Sequence, residues 1–253
     1  MRVPVIAGNW KMNKTTEESR ALIHDLSLGI RAIQSVTKIL FPPFISLLPA
    51  ASILIGTDIS LGAQNMHWEE KGAFTGEISP LMVAEFCKYV LIGHSERRTY
   101  FGETDEVANQ KLKAAQKHGL IPILCIGETL IEKEKDLTAS ILKNQIMNGY
   151  KDLDSGDALN SIIAYEPVWA IGTGKASSAQ EAGDTIKNII RPTIKDSFGA
   201  ETADSLRVLY GGSVNAGNAA EFLNVDDIDG ALIGGASLNA DQFISIVQAF
   251  SRE

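Results

Sequence analysis

Short apolar runs rich in Val and Ile recur along the whole chain, at residues 3–7, 38–41, 59–63, 89–92, 121–126, 161–164, 207–209 and 230–233. Most are nearly continuous in hydrophobicity rather than alternating, which suits strands of a parallel sheet covered on both faces. The segments between them carry apolar residues at helical spacing. Residues 15–31 place Leu22, Ile23, Leu26 and Ile30 on one side, and Thr15 with Glu18 three residues later predicts a capping box. The spacing predicts another helix over 103–118, with Gly119 as its left-handed stop. Ser178 and Glu181 repeat the capping-box pattern ahead of Ile186, Ile189 and Ile190, and 239–250 aligns Phe243, Ile246 and Val247.

Strand and helix thus alternate eight times, and no Pro/Ser-rich linker or shift in composition marks a boundary. A single domain over 1–253 is expected. Either a closed barrel or an open doubly wound sheet fits such alternation. Eight units in 253 residues match the size of a closed barrel. An open dinucleotide-binding sheet would show a glycine fingerprint after its first strand, where this chain reads Gly8-Asn9-Trp10-Lys11. The expected fold is therefore α/β, an eight-fold (β/α) barrel whose closed parallel sheet is ringed by helices. In such barrels the chemistry sits on the loops after the C-terminal strand ends.

Composition narrows the function more than the fold. Hydrophobic residues at 45% and charged residues at 21% allow a sizeable core in a dissolved protein and exclude disordered and fibrous classes. A formal net charge of −8 with interspersed signs argues against a nucleic-acid partner, which needs a basic face. It leaves room for a small anion held by a local cation and backbone N–H groups. No apolar run reaches the roughly 18–20 residues that span a bilayer, and the N-terminus does not read as a secretory signal. Cys87 and Cys125, each in an apolar segment, read as buried thiols. A cytoplasmic protein with no membrane partner, no metal and no cofactor is expected.

Polar and glycine residues gather after particular strands. Asn9 and Lys11 follow the first, and Gly93-His94-Ser95-Glu96-Arg97-Arg98 the fourth. After the sixth comes Tyr165-Glu166-Pro167-Val168-Trp169-Ala170-Ile171-Gly172-Thr173-Gly174-Lys175. Tyr210-Gly211-Gly212-Ser213 follows the seventh and Gly234-Gly235-Ala236-Ser237 the eighth. Glu166 sits at a strand end before a proline, so its carboxylate should leave the rim on a stiffened backbone. Apolar Val168, Trp169 and Ile171 could fold over it, and desolvating a carboxylate makes it a better base. A carboxylate can remove a proton beside a carbonyl only if the oxygen is polarised by preorganised donors; His94, Lys11 and Asn9 are the candidates. His94 precedes what reads as a helix start, which favours the neutral imidazole. Gly172, Ser213, Gly234 and Gly235 offer backbone N–H groups for a phosphate, and the loops after strands seven and eight form the usual barrel phosphate site.

Taken in order, these segments, together with Gly72-Ala73-Phe74-Thr75-Gly76-Glu77, resemble the triosephosphate isomerase family over the whole chain. That resemblance implies an aldose–ketose isomerase acting on a triose phosphate in glycolysis and gluconeogenesis, with Glu166 shuttling the proton. That family uses a neutral histidine at a helix start and a lid that closes, so both expectations come from the resemblance. The resemblance implies a lid over 167–175, with Tyr210 holding it closed and Trp169 pairing with Glu128 when open. It assigns supporting places to Ser95, Glu96, Ile171 and Leu232. It also implies a homodimer in which the long loop after strand three, with Gln64, Asn65 and Thr75, docks near the partner's Asn9 and Lys11.

Two rival readings remain open. Another phosphate-binding barrel enzyme, such as an imine-forming aldolase, would want a lysine in an apolar setting on a central strand, and none is read there. A metal-dependent aldolase wants clustered histidines, whereas His24, His67, His94 and His118 are scattered. A non-catalytic barrel that senses a phosphometabolite would need the glycines, but not Glu166, His94 and Lys11 together.

Overall fold

Eight parallel strands close on themselves in the computed structural model, which describes residues 2–170 and 177–251. They are β1 (Val5–Asn9), β2 (Thr37–Phe41), β3 (Ile59–Ala63), β4 (Tyr89–Ile92), β5 (Ile121–Ile126), β6 (Ile162–Tyr165), β7 (Arg207–Tyr210) and β8 (Gly230–Ile233). Each pairs with the next in sequence, and β1 closes the ring by pairing with β8, Val5 opposite Gly230. The first strand runs two residues later than its hydrophobic run suggests. Pro4 offers no N–H to a ladder, and the pairing instead carries on to Asn9, opposite Phe41.

Alternation along each strand splits the core in two. Val5, Ala7, Ile39, Phe41, Cys125 and Leu209 belong to the cluster that fills the barrel. Ile6, Leu40, Val90 and Leu124 belong to the larger cluster under the helices. Both faces are apolar, which is why the strands read as continuous runs. Lys38 is the strand lysine that the expectation of no imine-forming lysine has to meet. It is wholly buried on β2, but on the outward face, where its Nζ meets the carbonyls of Ile30 and Ile33 and the Asp58 carboxylate at 2.5 Å. So saturated and so far from the barrel interior, it is no imine nucleophile.

The first helix, Thr16–Ile30, begins with the expected capping box of Thr15 and Glu18. The 103–118 helix is shorter, Asp105–Lys117, because Thr104 caps it and leaves Glu103 free to turn inward. At Ser178 only half of the expected box forms. Its hydroxyl accepts from the Glu181 N–H at 3.1 Å, while the Glu181 carboxylate turns to Ser177 and Lys133. The helix that follows, Ala179–Thr185, passes through a π-helical turn, Ile186–Ile190, just before Pro192, whose missing N–H breaks the regular ladder. No helix among the described residues is long and apolar enough to cross a membrane.

Candidate active site

The C-terminal strand ends surround a cavity of about 360 Å³ lined by Asn9, Lys11, His94, Glu166, Ser213 and Gly234, with Gly235 and Leu232 also on its wall. Lys11 is held there by a strained backbone: its φ is +52°, a left-handed conformation that costs a non-glycine residue of order 1–3 kcal/mol. Two side chains fix it. Asn9 Oδ1 accepts the Lys11 N–H at 3.0 Å, and Gln64 Nε2 donates to the Lys11 carbonyl at 2.9 Å and to that of Phe41 at 2.8 Å. Gln64, which the sequence suggested only for subunit docking, therefore also buttresses the site within its own chain. The Lys11 ammonium pairs with Glu96 at 2.7 Å.

His94 caps the helix Ser95–Phe101, its Nδ1 accepting the Glu96 N–H at 3.2 Å. A ring nitrogen that accepts carries no proton, so the imidazole is neutral and its proton sits on Nε2. That Nε2 lies 3.2 Å from Glu166 Oε1, while Glu166 Oε2 accepts the Ser95 N–H at 3.0 Å. Glu166 is 2% exposed. Its main chain is squeezed between neighbours, and a Cβ placed on Gly211 would fall 2.6 Å from Glu166 Cγ. Cys125 packs against the same carboxylate from inside the barrel, where burial and the Glu166 charge push its thiol well above its ordinary range.

Trp169 donates its indole N–H to Glu128 Oε1 at 2.8 Å, and the Tyr165 hydroxyl reaches both Glu128 oxygens at 3.2 and 3.3 Å. Burial raises the Glu128 carboxyl, against these bonds. The Tyr210 hydroxyl is buried beside Gly212 and is pushed up to about 12, chiefly by burial. The Ser213 hydroxyl donates to the Ala170 carbonyl at 3.0 Å. Ile171, Gly172 and the rest of the expected lid through Lys175 lie outside the described residues. Thr75 is exposed on its loop, and Asn65 accepts from Lys111 at 2.7 Å. No group of three His, Cys, Asp or Glu among the described residues is placed to hold a metal.

Sequence reading passed over a buried polar knot under the fourth loop. Glu103 accepts the Gly93 N–H at 2.8 Å, Arg97 at 2.8 Å and Lys111 at 2.6 Å, so it fixes the backbone from which His94 projects. Burial alone would raise the Glu103 carboxyl, but Lys111, Arg97 and the Gly93 N–H outweigh it and hold the group below its ordinary 4.5. Protons then bind it more tightly in the unfolded chain, so this contribution is complete above pH 4.5 and fades as pH falls through the lower folded value. Glu103→Gln strands the buried Lys111 cation. It should cost about 3–5 kcal/mol in denaturant unfolding at neutral pH, with the gap from wild type narrowing in acid.

A neutral imidazole, a lysine on a strained backbone and a buried carboxylate, converging beside glycine loops seven and eight, are suited to moving a proton next to a carbonyl of a phosphorylated substrate. Comparison with known proteins agrees. The family model for triosephosphate isomerase matches residues 4–250. The chain is 52% identical over 246 residues to a triosephosphate isomerase of Dehalococcoides mccartyi (strain CBDB1), covering 97% of this chain and 96% of that one. It is 49% identical over 248 residues to the one of Thermoanaerobacter pseudethanolicus, covering 98% and 99%. A crystal structure of triosephosphate isomerase from Bartonella henselae superposes with a TM-score of 0.89 at 38% identity, covering 99% of this chain and all of that one. A match of this extent, in sequence and in fold, places the chain in the triosephosphate isomerase family.

Proposed function

We propose that Glu166, His94, Lys11 and Asn9 carry the reaction of this family, the interconversion of dihydroxyacetone phosphate and glyceraldehyde 3-phosphate, a step shared by glycolysis and gluconeogenesis. The observation that carries this assignment is the 3.2 Å approach of His94 Nε2 to Glu166 Oε1, inside the cavity that Lys11 also enters. Glu166 takes the proton from the carbon beside the carbonyl. The C–H electron pair becomes the C=C bond of an enediolate, and negative charge gathers on the former carbonyl oxygen. His94 Nε2–H and the Lys11 ammonium stabilise that charge in a water-poor site, where fixed donors are most effective. The proton on the adjoining hydroxyl then passes to the former carbonyl oxygen. Glu166 returns its own proton to the carbon bearing that oxygen, the C=O re-forms at the carbon first deprotonated, and no net oxidation occurs. The His94 N–H that now meets Glu166 is the donor the substrate oxygen would take over, so binding substrate frees the carboxylate to turn from Ser95 toward carbon.

The phosphate is assigned to the N–H groups around Ser213, Gly234 and Gly235 and to Gly172, with Lys11 as the cation; Leu232 walls the site. Glu96 holds Lys11 in place. A coupled assay with each triose phosphate in turn tests the whole reading: rapid interconversion in both directions is expected, and tight binding without turnover would favour a phosphometabolite sensor.

The working form is assigned as a homodimer, in the cytoplasm. A second cavity, of about 330 Å³, adjoins the site and is lined by Lys11, Met12, Phe44, Asn65, Glu77 and Phe101. Met12 is 97% exposed and Phe101 70% exposed, while Phe74 stands out on the loop that carries Thr75. A loop with an exposed aromatic beside an apolar socket fits insertion into a second copy. Sedimentation should give a dimer at micromolar concentration, with activity falling on dilution as it dissociates. A fully active monomer would remove the docking loop from the site.

A further inference from the structure

We infer that Gln145 is a positioning residue for Glu166, acting through the backbone of Gly127; the inference rests on Glu166 being the base. Ladder pairing between β4 and β5 ends at Ile92 opposite Leu124, so Gly127, one residue past β5, has no strand neighbour on that side. The Gln145 amide takes the place of one. Its Oε1 accepts the Gly127 N–H at 2.8 Å, and its Nε2 donates to the Gly127 carbonyl at 3.1 Å. Gln145 lies on the helix Thr138–Gly149, which is anchored in the core by Leu142 and Ile146. The clamp is therefore rooted in packed structure, and both of its bonds reach main-chain atoms.

Gly127 in turn lies against the main chain of Glu166. A Cβ at this position would fall 1.7 Å from the Glu166 carbonyl oxygen, 2.6 Å from its carbonyl carbon and 3.4 Å from its Cα. No side chain fits, and a shift of the Gly127 backbone must pass to Glu166. On its other sides the residue is already fixed: its own N–H donates to the Ile126 carbonyl at 2.7 Å, and Gly211 packs against its Cγ. Gly127 is the neighbour whose place depends on a side chain from elsewhere in the fold. Gln145 also walls, with Ser95, Thr129 and Val168, a cavity of about 260 Å³ behind the carboxylate. A base that serves two adjacent carbons has to move its carboxylate while its main chain stays still, and a misplacement of about 1 Å can cost of order 10²-fold in rate.

Gln145→Met keeps the length of the side chain and removes both bonds. It should lower kcat by about 10- to 100-fold with KM changed by less than about two-fold, while near-UV circular dichroism and oligomeric state stay those of the wild type. Gln145→Glu keeps the acceptor for the Gly127 N–H but sets an oxygen against its carbonyl, so an intermediate loss is expected; it also serves if the Met variant fails to fold. The deciding measurement repeats both substitutions in a Glu166→Gln background, where a residue acting through the base has nothing left to position and kcat should move by less than about two-fold. The same fold-loss in both backgrounds, or a change in KM alone, would overturn the inference and leave Gln145 a purely structural residue. If Glu166→Gln by itself keeps kcat near wild type, the base assignment fails first, and that result is read before the double variants.

Discussion

Glu166→Gln should lower kcat by ~10²–10⁴-fold in both directions of the isomerisation, the range associated with loss of a general base. The substitution keeps the volume of the side chain and removes its basicity. It also creates a local conflict that Glu166 avoids. Two donors face the carboxylate, the Ser95 N–H at 3.0 Å and His94 Nε2 at 3.2 Å, and an amide has a single oxygen to offer them. The imidazole cannot escape by moving its proton, because Nδ1 is occupied as acceptor for the Glu96 N–H. One buried donor is left facing an NH₂ group, at a cost of about 1–3 kcal/mol of stability. Activity and unfolding measured on the same preparations separate the two effects: a kcat loss far larger than the stability change explains is the signature of a base. A variant within ten-fold of the wild type would place proton transfer on another group. KM should change little, since the phosphate contacts lie elsewhere in the cavity.

The barrel could be read from the chain because its two periodicities are strong and do not interfere. Strands buried on both faces give continuous apolar runs, and the helices give a clear one-sided pattern, the first with its capping box at Thr15. Boundaries moved where a single residue decided them, as at Pro4, which has no N–H for the ladder, and at Thr104, whose hydroxyl caps the helix. The candidate site was legible for a different reason: a barrel sends its chemistry to consecutive loop starts, so Asn9, Lys11, His94, Glu166, Ser213 and the Gly234-Gly235 pair could be collected loop by loop. What stayed hidden was the support beneath them. Gln145 sits on a helix, Glu103 in the loop before one, and a polar residue in either place reads as a solvated face. Their partners, Gly127 and Gly93, are 18 and 10 residues away, and the bonds end on main-chain atoms that leave no mark in a sequence. The partners of Lys38 were hidden through the same gap, since a lysine that begins an apolar run gives no sign of which face of the strand it occupies.

Lys11→Met should reduce kcat by about 10²–10³-fold, the loss typical of one preorganised donor to a developing oxyanion, and should raise KM as well. The double effect follows from where the ammonium sits. It lines the same cavity as His94 and Glu166 on one side and as Gly234 on the other, with Lys11 Cε 3.6 Å from the position a Gly234 Cβ would take. One charge thus serves both the phosphate, present in every bound state, and the enolate oxygen, present only as the reaction proceeds. The phosphate share appears in KM and the oxyanion share in kcat. Stability should hardly change. Glu96, the partner left behind, has a side chain 41% exposed, so water screens the orphaned carboxylate, and pairs this open contribute about 0–1 kcal/mol. The strained backbone at Lys11 is held by Asn9 and Gln64 rather than by its ammonium, so the Met variant should keep the fold and a cavity of the same shape. Glu96→Gln supplies the contrast. It leaves the cation in place with one hydrogen-bonding partner, and its effect should be the smaller by at least an order of magnitude. A Lys11→Met enzyme that lost only affinity, with kcat intact, would assign the lysine to phosphate binding and leave His94 Nε2 alone with the developing oxyanion.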